Sequence, residues 1–341
     1  MTNAADADMF WDFHVHSPES IHALMFLFGD RGIPSSLRHI NGYGNHTYKW
    51  TKKDGSFHYV KIHIKADAGI KYLTSQKANK LAGTHPDAHV LDLFDHIANG
   101  RFPSYTVYIQ TIAPEELSSC PVNIFDMTKI LPHAQYPLRQ IGRIVFDRNP
   151  TNYFTDVEQA AFSPSNMVPG IEPSADPMLQ ARMFAYPDAA RYRLGVNYQF
   201  LPTNRPVVPV YVPTQRDGFM NFTANYRGDP NYVGAASKET KFREDVVVSN
   251  YKSMKEDFVG PVTFSSEVTD TDFEQPRALW QRVMAKQDGC QERFVENVAE
   301  HVSQVKRDWL RNDVYSESHY GEAYAMLTRH RALEPSRQEA E

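Results

Sequence analysis

Apolar positions along the chain follow two different periods. Ile21, Leu24, Met25 and Phe28 recur at i, i+3, i+4 and i+7, which is one face of a helix. Ser17-Pro18-Glu19-Ser20 opens that helix, with proline in the first turn and an acid at the positive end of the helix dipole. Gly29-Asp30-Arg31-Gly32 closes it. Residues 46–65 turn to the period of a strand. His46 to Trp50 leads into Asp54-Gly55, a signal for a tight type I′ turn, and Phe57 to Ile64 returns as the second arm of a hairpin. Residues 105–112 and 142–146 predict further strands, and residues 90–98 a helix. Late in the chain Phe294, Val298, Val302, Val305 and Trp309 repeat at steps of four and three. They predict one apolar stripe on a helix of about six turns that starts after Gly289. Shorter helices are predicted over residues 277–284 and 320–327.

The stretch from Leu201 to about Gly260 has neither period. Pro202, Pro206, Pro209 and Pro213 punctuate it, and Gly, Asn and Asp follow. It buries too little apolar surface to offset its own ordering entropy, so it is expected to wrap another surface or subunit. A β-rich core, a wrapping arm and a helical region in that order predict the α+β class, divided at residues 8–200, 201–264 and 265–335.

Composition narrows the function classes. A formal net charge of −5 and the lack of a long basic run argue against a nucleic-acid partner. No run of about 18 apolar residues is present, so no membrane span is expected. Cys120 and Cys290 are far apart and in no metal-binding spacing, which suits a reducing compartment. Residues 1–7 lack a basic region followed by an apolar one, and Arg337 to Glu341 do not form a peroxisomal tripeptide. A cytoplasmic location is the expectation. Aromatic residues make up 12% of the chain, enough to wall a large flat cofactor or, equally, to fill a β-rich core.

The chemistry concentrates in Gln180-Ala181-Arg182-Met183-Phe184-Ala185-Tyr186-Pro187-Asp188-Ala189-Ala190-Arg191-Tyr192-Arg193-Leu194-Gly195. Arg182 and Tyr186 stand four apart, so on a helix the guanidinium can reach the phenol oxygen. A cation held there favours phenolate over phenol. Phenolate is a hard oxygen donor for ferric iron, and tyrosine is one of the few axial haem ligands. The plainer reading, a buried tyrosine beside surface arginines, meets the same spacing.

Arg-x-Phe-x-Tyr-x-Asp followed by Arg resembles the proximal signature of haem catalases, the monofunctional, tyrosinate-ligated family. The resemblance extends along nearly the whole chain. It includes Asp8-Met9-Phe10-Trp11-Asp12-Phe13, Phe26-Leu27-Phe28-Gly29-Asp30-Arg31-Gly32-Ile33-Pro34 and Arg38-His39-Ile40-Asn41-Gly42-Tyr43-Gly44. Phe146-Asp147-Arg148-Asn149-Pro150 and Ser163-Pro164-Ser165-Asn166-Met167 continue it. The resemblance implies a partial antiparallel β-barrel, a wrapping arm and a C-terminal helical bundle. It implies haem b with Tyr186 on the iron, Arg182 as charge partner, and His46 and Asp176 behind Arg182. By the same resemblance Arg193 pairs with a haem propionate, while Ala190 stands where many members carry histidine. Some catalases bind NADPH through residues matching His22, Phe26, Arg31, Asn41, His63, Lys65 and His133. Here Lys65 and Arg31 would hold phosphates, and the chain departs from that pattern at Gly29, often Ser, and Leu131, often Trp.

The activity implied is decomposition of hydrogen peroxide to water and oxygen by a homotetramer, in a family whose members are also found in peroxisomes. The family's distal histidine and asparagine belong to segments that precede the position of Asp8. His14, His16 and His22 match other positions. This chain by itself is therefore expected to be inactive or weakly active, with an open barrel edge. Completion by other distal groups or by another chain, and a non-enzymatic descendant, are the alternatives.

Overall fold

The computed structural model describes residues 5–208, 210–221, 226–232, 235–236, 238 and 267–307. They fall into two compact units, one within residues 1–41, 66–104 and 265–341, the other within 42–65 and 105–264. The class is α+β, with a six-stranded sheet in the second unit and helices in both.

In the first unit α1 (Ala7–Val15) begins at Asp6, whose carboxylate accepts the Met9 N–H at 3.0 Å. After a 3-10 turn over Pro18–Ser20, α2 (Ile21–Leu27) follows, where the apolar period places it. Trp11, Val15, Ile21, Leu24 and Met25 from these helices share one core with Trp280, Met284, Phe294, Val295, Val298 and Val302. The apolar stripe expected near the C-terminus is the Cys290–Val302 helix, shorter than six turns, and Val305 is buried beyond its end. Trp309 and the helix expected over 320–327 lie outside the described residues. Polar ties fasten the helices. Arg293 donates Nε and Nη2 to the Asp30 carboxylate at 2.8 and 2.7 Å, and Trp11 Nε1 donates to His301 Nδ1 at 2.9 Å. The pair α3 (Ser75–Thr84) and α4 (Ala88–Ala98) completes this unit, with Arg38 forking onto Asp92 of α4 at 2.7 and 3.0 Å.

The strands of the sheet are β1 (Gly42–Tyr43), β2 (Tyr48–Thr51), β3 (Phe57–Ala66), β4 (Ser104–Ile112), β5 (Arg139–Val145) and β6 (Ile171–Pro173). Their order is β5-β4-β3-β2-β6, with β1 also on β3. β1, β2 and β6 pair antiparallel with their neighbours. Phe57 and Tyr59 of β3 point into a core with Ile112, Ile124, Phe125 and Leu131. The expected hairpin is present, but its turn is not type I′. That turn needs two residues with positive φ, and only Gly55 has one, at 88°. Asp54 stays out of the left-handed region and accepts the Ser56 N–H and Oγ–H, while Gly55 N donates to Lys52 O at 3.0 Å. This is a three-residue loop with glycine at the bulge position.

The ladder is also irregular between β1 and β2. Gly44 N donates to Ile62 O at 2.7 Å, and Tyr48 is already opposite Val60. Asn45, His46 and Thr47 therefore face Lys61 alone. These extra residues form a bulge, and bulges re-aim side chains.

Candidate functional site

The helix that carries the signature, α5 (Pro177–Leu194), starts at Asp176 with proline at its first position. Asp176 Oδ1 caps it by accepting the Leu179 N–H at 3.0 Å. The antiparallel pairing of β2 with β6, Tyr48 opposite Pro173, carries His46 alongside the residues that lead into this cap. Asp176 Oδ2 then meets His46 Nδ1 at 2.8 Å.

The tautomer follows from what the neighbours can offer. Arg182 Nη1 lies 2.6 Å from His46 Nε2, and a guanidinium only donates. Nε2 therefore accepts, so the ring hydrogen sits on Nδ1 and is donated to Asp176. The other arm of Arg182, Nη2, donates to the Tyr186 hydroxyl at 3.0 Å, and the guanidinium carbon lies 4.9 Å from the tyrosine ring centre. The i, i+4 spacing thus does what the sequence implies. Asp176 is 0% and His46 6% exposed, whereas Tyr186 is 41% exposed, so the four groups lead from the interior to the surface. Pro187 follows Tyr186 inside the helix and has no N–H for the Met183 carbonyl, loosening the ladder beside the phenol.

The support is polar and buried. Asp176 N donates to Ser174 Oγ at 3.2 Å, Ser174 Oγ to Thr47 O, and Thr47 Oγ1 to Ile124 O. Beside it, burial pushes Tyr48 above the ordinary phenol range, with Arg182 opposing. Among the described residues no group of three or more His, Cys, Asp or Glu is placed to hold a metal ion.

Arg193, at the other end of α5, donates Nη1 to Glu158 O and Nη2 to Ala160 O at 2.8 Å. It ties the 158–160 stretch to the helix and keeps its remaining N–H groups for another acceptor. Ala190 is buried.

The residues matching a nucleotide site divide between the two units. In the first, the His22 and Phe26 rings lie 5.3 Å apart and the Arg31 guanidinium lies 5.3 Å over Phe26. Asn41 Oδ1 accepts the Ala66 N–H at 2.9 Å. In the second, His63 meets Gln110 Oε1 at 2.8 Å and its ring lies 6.3 Å from His133, while Lys65 lies 5.7 Å over Tyr108. Burial holds His63 below the ordinary imidazole range, and desolvation with nearby Lys65 does the same to His133.

Sequence reasoning missed Lys61, 3% exposed, whose Nζ donates to Asn45 O at 2.9 Å. Its signal is phase, since it falls on the same face of β3 as the inward Phe57, Tyr59 and His63.

A family model described as catalase matches residues 1–239. The chain is 46% identical over 305 residues to peroxisomal catalase A of Saccharomyces cerevisiae, covering 88% of this chain and 59% of that protein. It is 45% identical over 304 residues to the peroxisomal catalase of Candida albicans, covering 89% and 61%. A solved fungal catalase is similar at a TM-score of 0.87 and 44% identity, over 97% of this chain and 66% of that one. A bacterial catalase is similar at 0.84 and 33% identity, over 98% and 68%. The chain spans about three-fifths of the length of the curated relatives it matches.

Proposed function

The chain belongs to the catalase family, and on that premise we propose that Tyr186 would hold the iron of a haem b in a protein that decomposes hydrogen peroxide to water and oxygen. One observation carries this reading: the unbroken run of hydrogen bonds from Asp176 through His46 and Arg182 to the Tyr186 oxygen. The residues present fit the group. Tyr186 keeps an exposed phenol oxygen, and Phe154, Val157, Phe162 and Phe184 expose aromatic and aliphatic surface in the same unit. Arg193 has the charge to meet a propionate.

When bound, the haem supplies the redox chemistry with peroxide. The chain's own residues set the donor. Asp176 fixes the His46 tautomer, His46 orients Arg182, and Arg182 donates to the Tyr186 oxygen and holds it in place. Reconstitution with ferric protoporphyrin IX tests this. The parent is expected to give a Soret band with high-spin tyrosinate features that Tyr186→Phe lacks. An identical spectrum in that variant overturns the assignment, and oxygen release from hydrogen peroxide measures the activity.

A second reading, completion by further polypeptide, rests on β5. This edge strand exposes Ile141, Ile144 and Val145. A cavity of about 600 Å³ lined by Val60, Ile109, Ile141 and Ile171 adjoins it, with Trp50 Nε1 and Thr51 Oγ1 buried and without a partner among the described residues. Oxygen release that appears only after another polypeptide is added would favour it. NADPH binding and a homotetramer rest on family membership alone, and residues 239–264 of the expected wrapping arm lie outside the described residues. The relatives' names support a peroxisomal location over the cytoplasmic expectation; localisation of a fluorescent fusion decides.

A further inference from the structure

We propose that Lys61 is a positioning residue of the relay: its buried ammonium, donated to the Asn45 carbonyl, holds the bulge from which His46 reaches Asp176 and Arg182. The role it positions for rests on the reading of Tyr186 given above. The geometry itself does not depend on that reading.

Three residues oppose Lys61 where a regular ladder would place one. Such a bulge frees backbone groups from strand pairing, and a buried ammonium without an acceptor is costly. Lys61 Nζ finds that acceptor in the carbonyl of the residue immediately before His46. Thr47, immediately after it, is held by Ser174 Oγ and by its own bond to Ile124 O. The imidazole is thus pinned on both sides through the backbone, with its tautomer set by Asp176. The ammonium also needs reasons to be buried. Its surroundings are anionic or ionisable: Asp176 at the start of α5, Asp126 in the loop after residue 122, and Cys120. Burial draws the Lys61 ammonium below the ordinary lysine range, and those three groups oppose the shift. One cation therefore serves two ends: it offsets the wholly buried Asp176 charge and fixes the backbone that aims His46 at it.

The test reads His46 in the full chain without added haem. In the parent, the Nδ1–H of His46 is expected as a downfield proton resonance protected from exchange. Lys61→Met is expected to shift that resonance and speed its exchange at least tenfold, and Lys61→Arg to restore the parent signal. Val60→Ala, on the same strand, is expected to lower the melting temperature and leave the His46 resonance in place. Should Lys61→Met fail to fold, Lys61→Gln, shorter and uncharged, is read by the same criterion. Exchange at the parent rate in a folded Lys61 variant, or an equal change in Val60→Ala, overturns the proposal. Tyr186→Phe separates the two readings: it abolishes the tyrosinate spectrum while sparing the His46 signal.

Discussion

Asp176→Asn probes the direction in which hydrogen bonds run through the relay. Asparagine caps a helix about as well as aspartate, so its carbonyl oxygen keeps the Leu179 N–H satisfied. Its amide nitrogen then faces His46 Nδ1, where a hydrogen already sits, and two donors meet. The imidazole escapes only by moving its hydrogen to Nε2. There it meets Arg182 Nη1, which has only hydrogens to offer. In either tautomer one donor loses its acceptor in a place water does not reach, since Asp176 is 0% and His46 6% exposed. Such a loss costs about 1–3 kcal/mol, or roughly 5- to 150-fold in the opening equilibrium. Asp176→Ala adds the lost cap, about 1 kcal/mol more. Native-state hydrogen exchange of the β3 amides measures opening of this unit, and nitrogen NMR of His46 reads the tautomer. If Asp176→Asn exchanges within about twofold of the parent and His46 keeps its hydrogen on Nδ1, the donor assignment is wrong.

Arg182→Ala removes a hydrogen-bond donor to the Tyr186 hydroxyl and is expected to weaken ferric protoporphyrin binding about tenfold, the low end for a charge-assisted bond at a half-exposed site; equal titrations across pH 6 to 9 would count against it. Arg38 holds the Asp92 carboxyl at about 2, below its unfolded value, so that pair's stabilisation is complete above about pH 4 and is lost as pH falls toward 2. Asp92→Asn should flatten that acid limb in thermal melts. Burial holds His301 below the ordinary imidazole range while its Nδ1 accepts from Trp11, so its contribution is full above about pH 6.5 and fades as pH falls through its lowered folded value. Trp11→Phe should make melting between pH 7.5 and 5 less pH-dependent; an unchanged slope would reject the pairing.

Local features were legible where they rest on local chemistry. The α2 helix and the hairpin follow from spacing and turn residues, and the Arg182–Tyr186 contact from a helical period. The turn type was misread because Asp54-Gly55 suits two loops, and only the Asp54 carboxylate's bonds to Ser56 decide between them. His46 and Asp176 were legible by family resemblance alone. They lie 130 residues apart and meet through the β2–β6 register, which no local period encodes. The Arg293–Asp30 fork, across 263 residues, was missed for the same reason. Lys61 was missed because a lysine in a strand reads as solvated, although its phase with Phe57 and Tyr59 says otherwise.

The first unit closes its core across most of the polypeptide, with Trp11 bonded to a histidine 290 residues downstream. At synthesis rates of roughly 5–20 residues per second, that partner emerges about 15–60 s after the tryptophan. Until then Trp11, Val15, Ile21, Leu24 and Met25 have no Phe294, Val298 or Val302 to cover them. A nascent chain carrying that apolar face is a client for any chaperone at the ribosome exit. A translational pause that lengthens the wait should lower the soluble yield, and removing the Cys290–Val302 helix should leave the same face permanently uncovered.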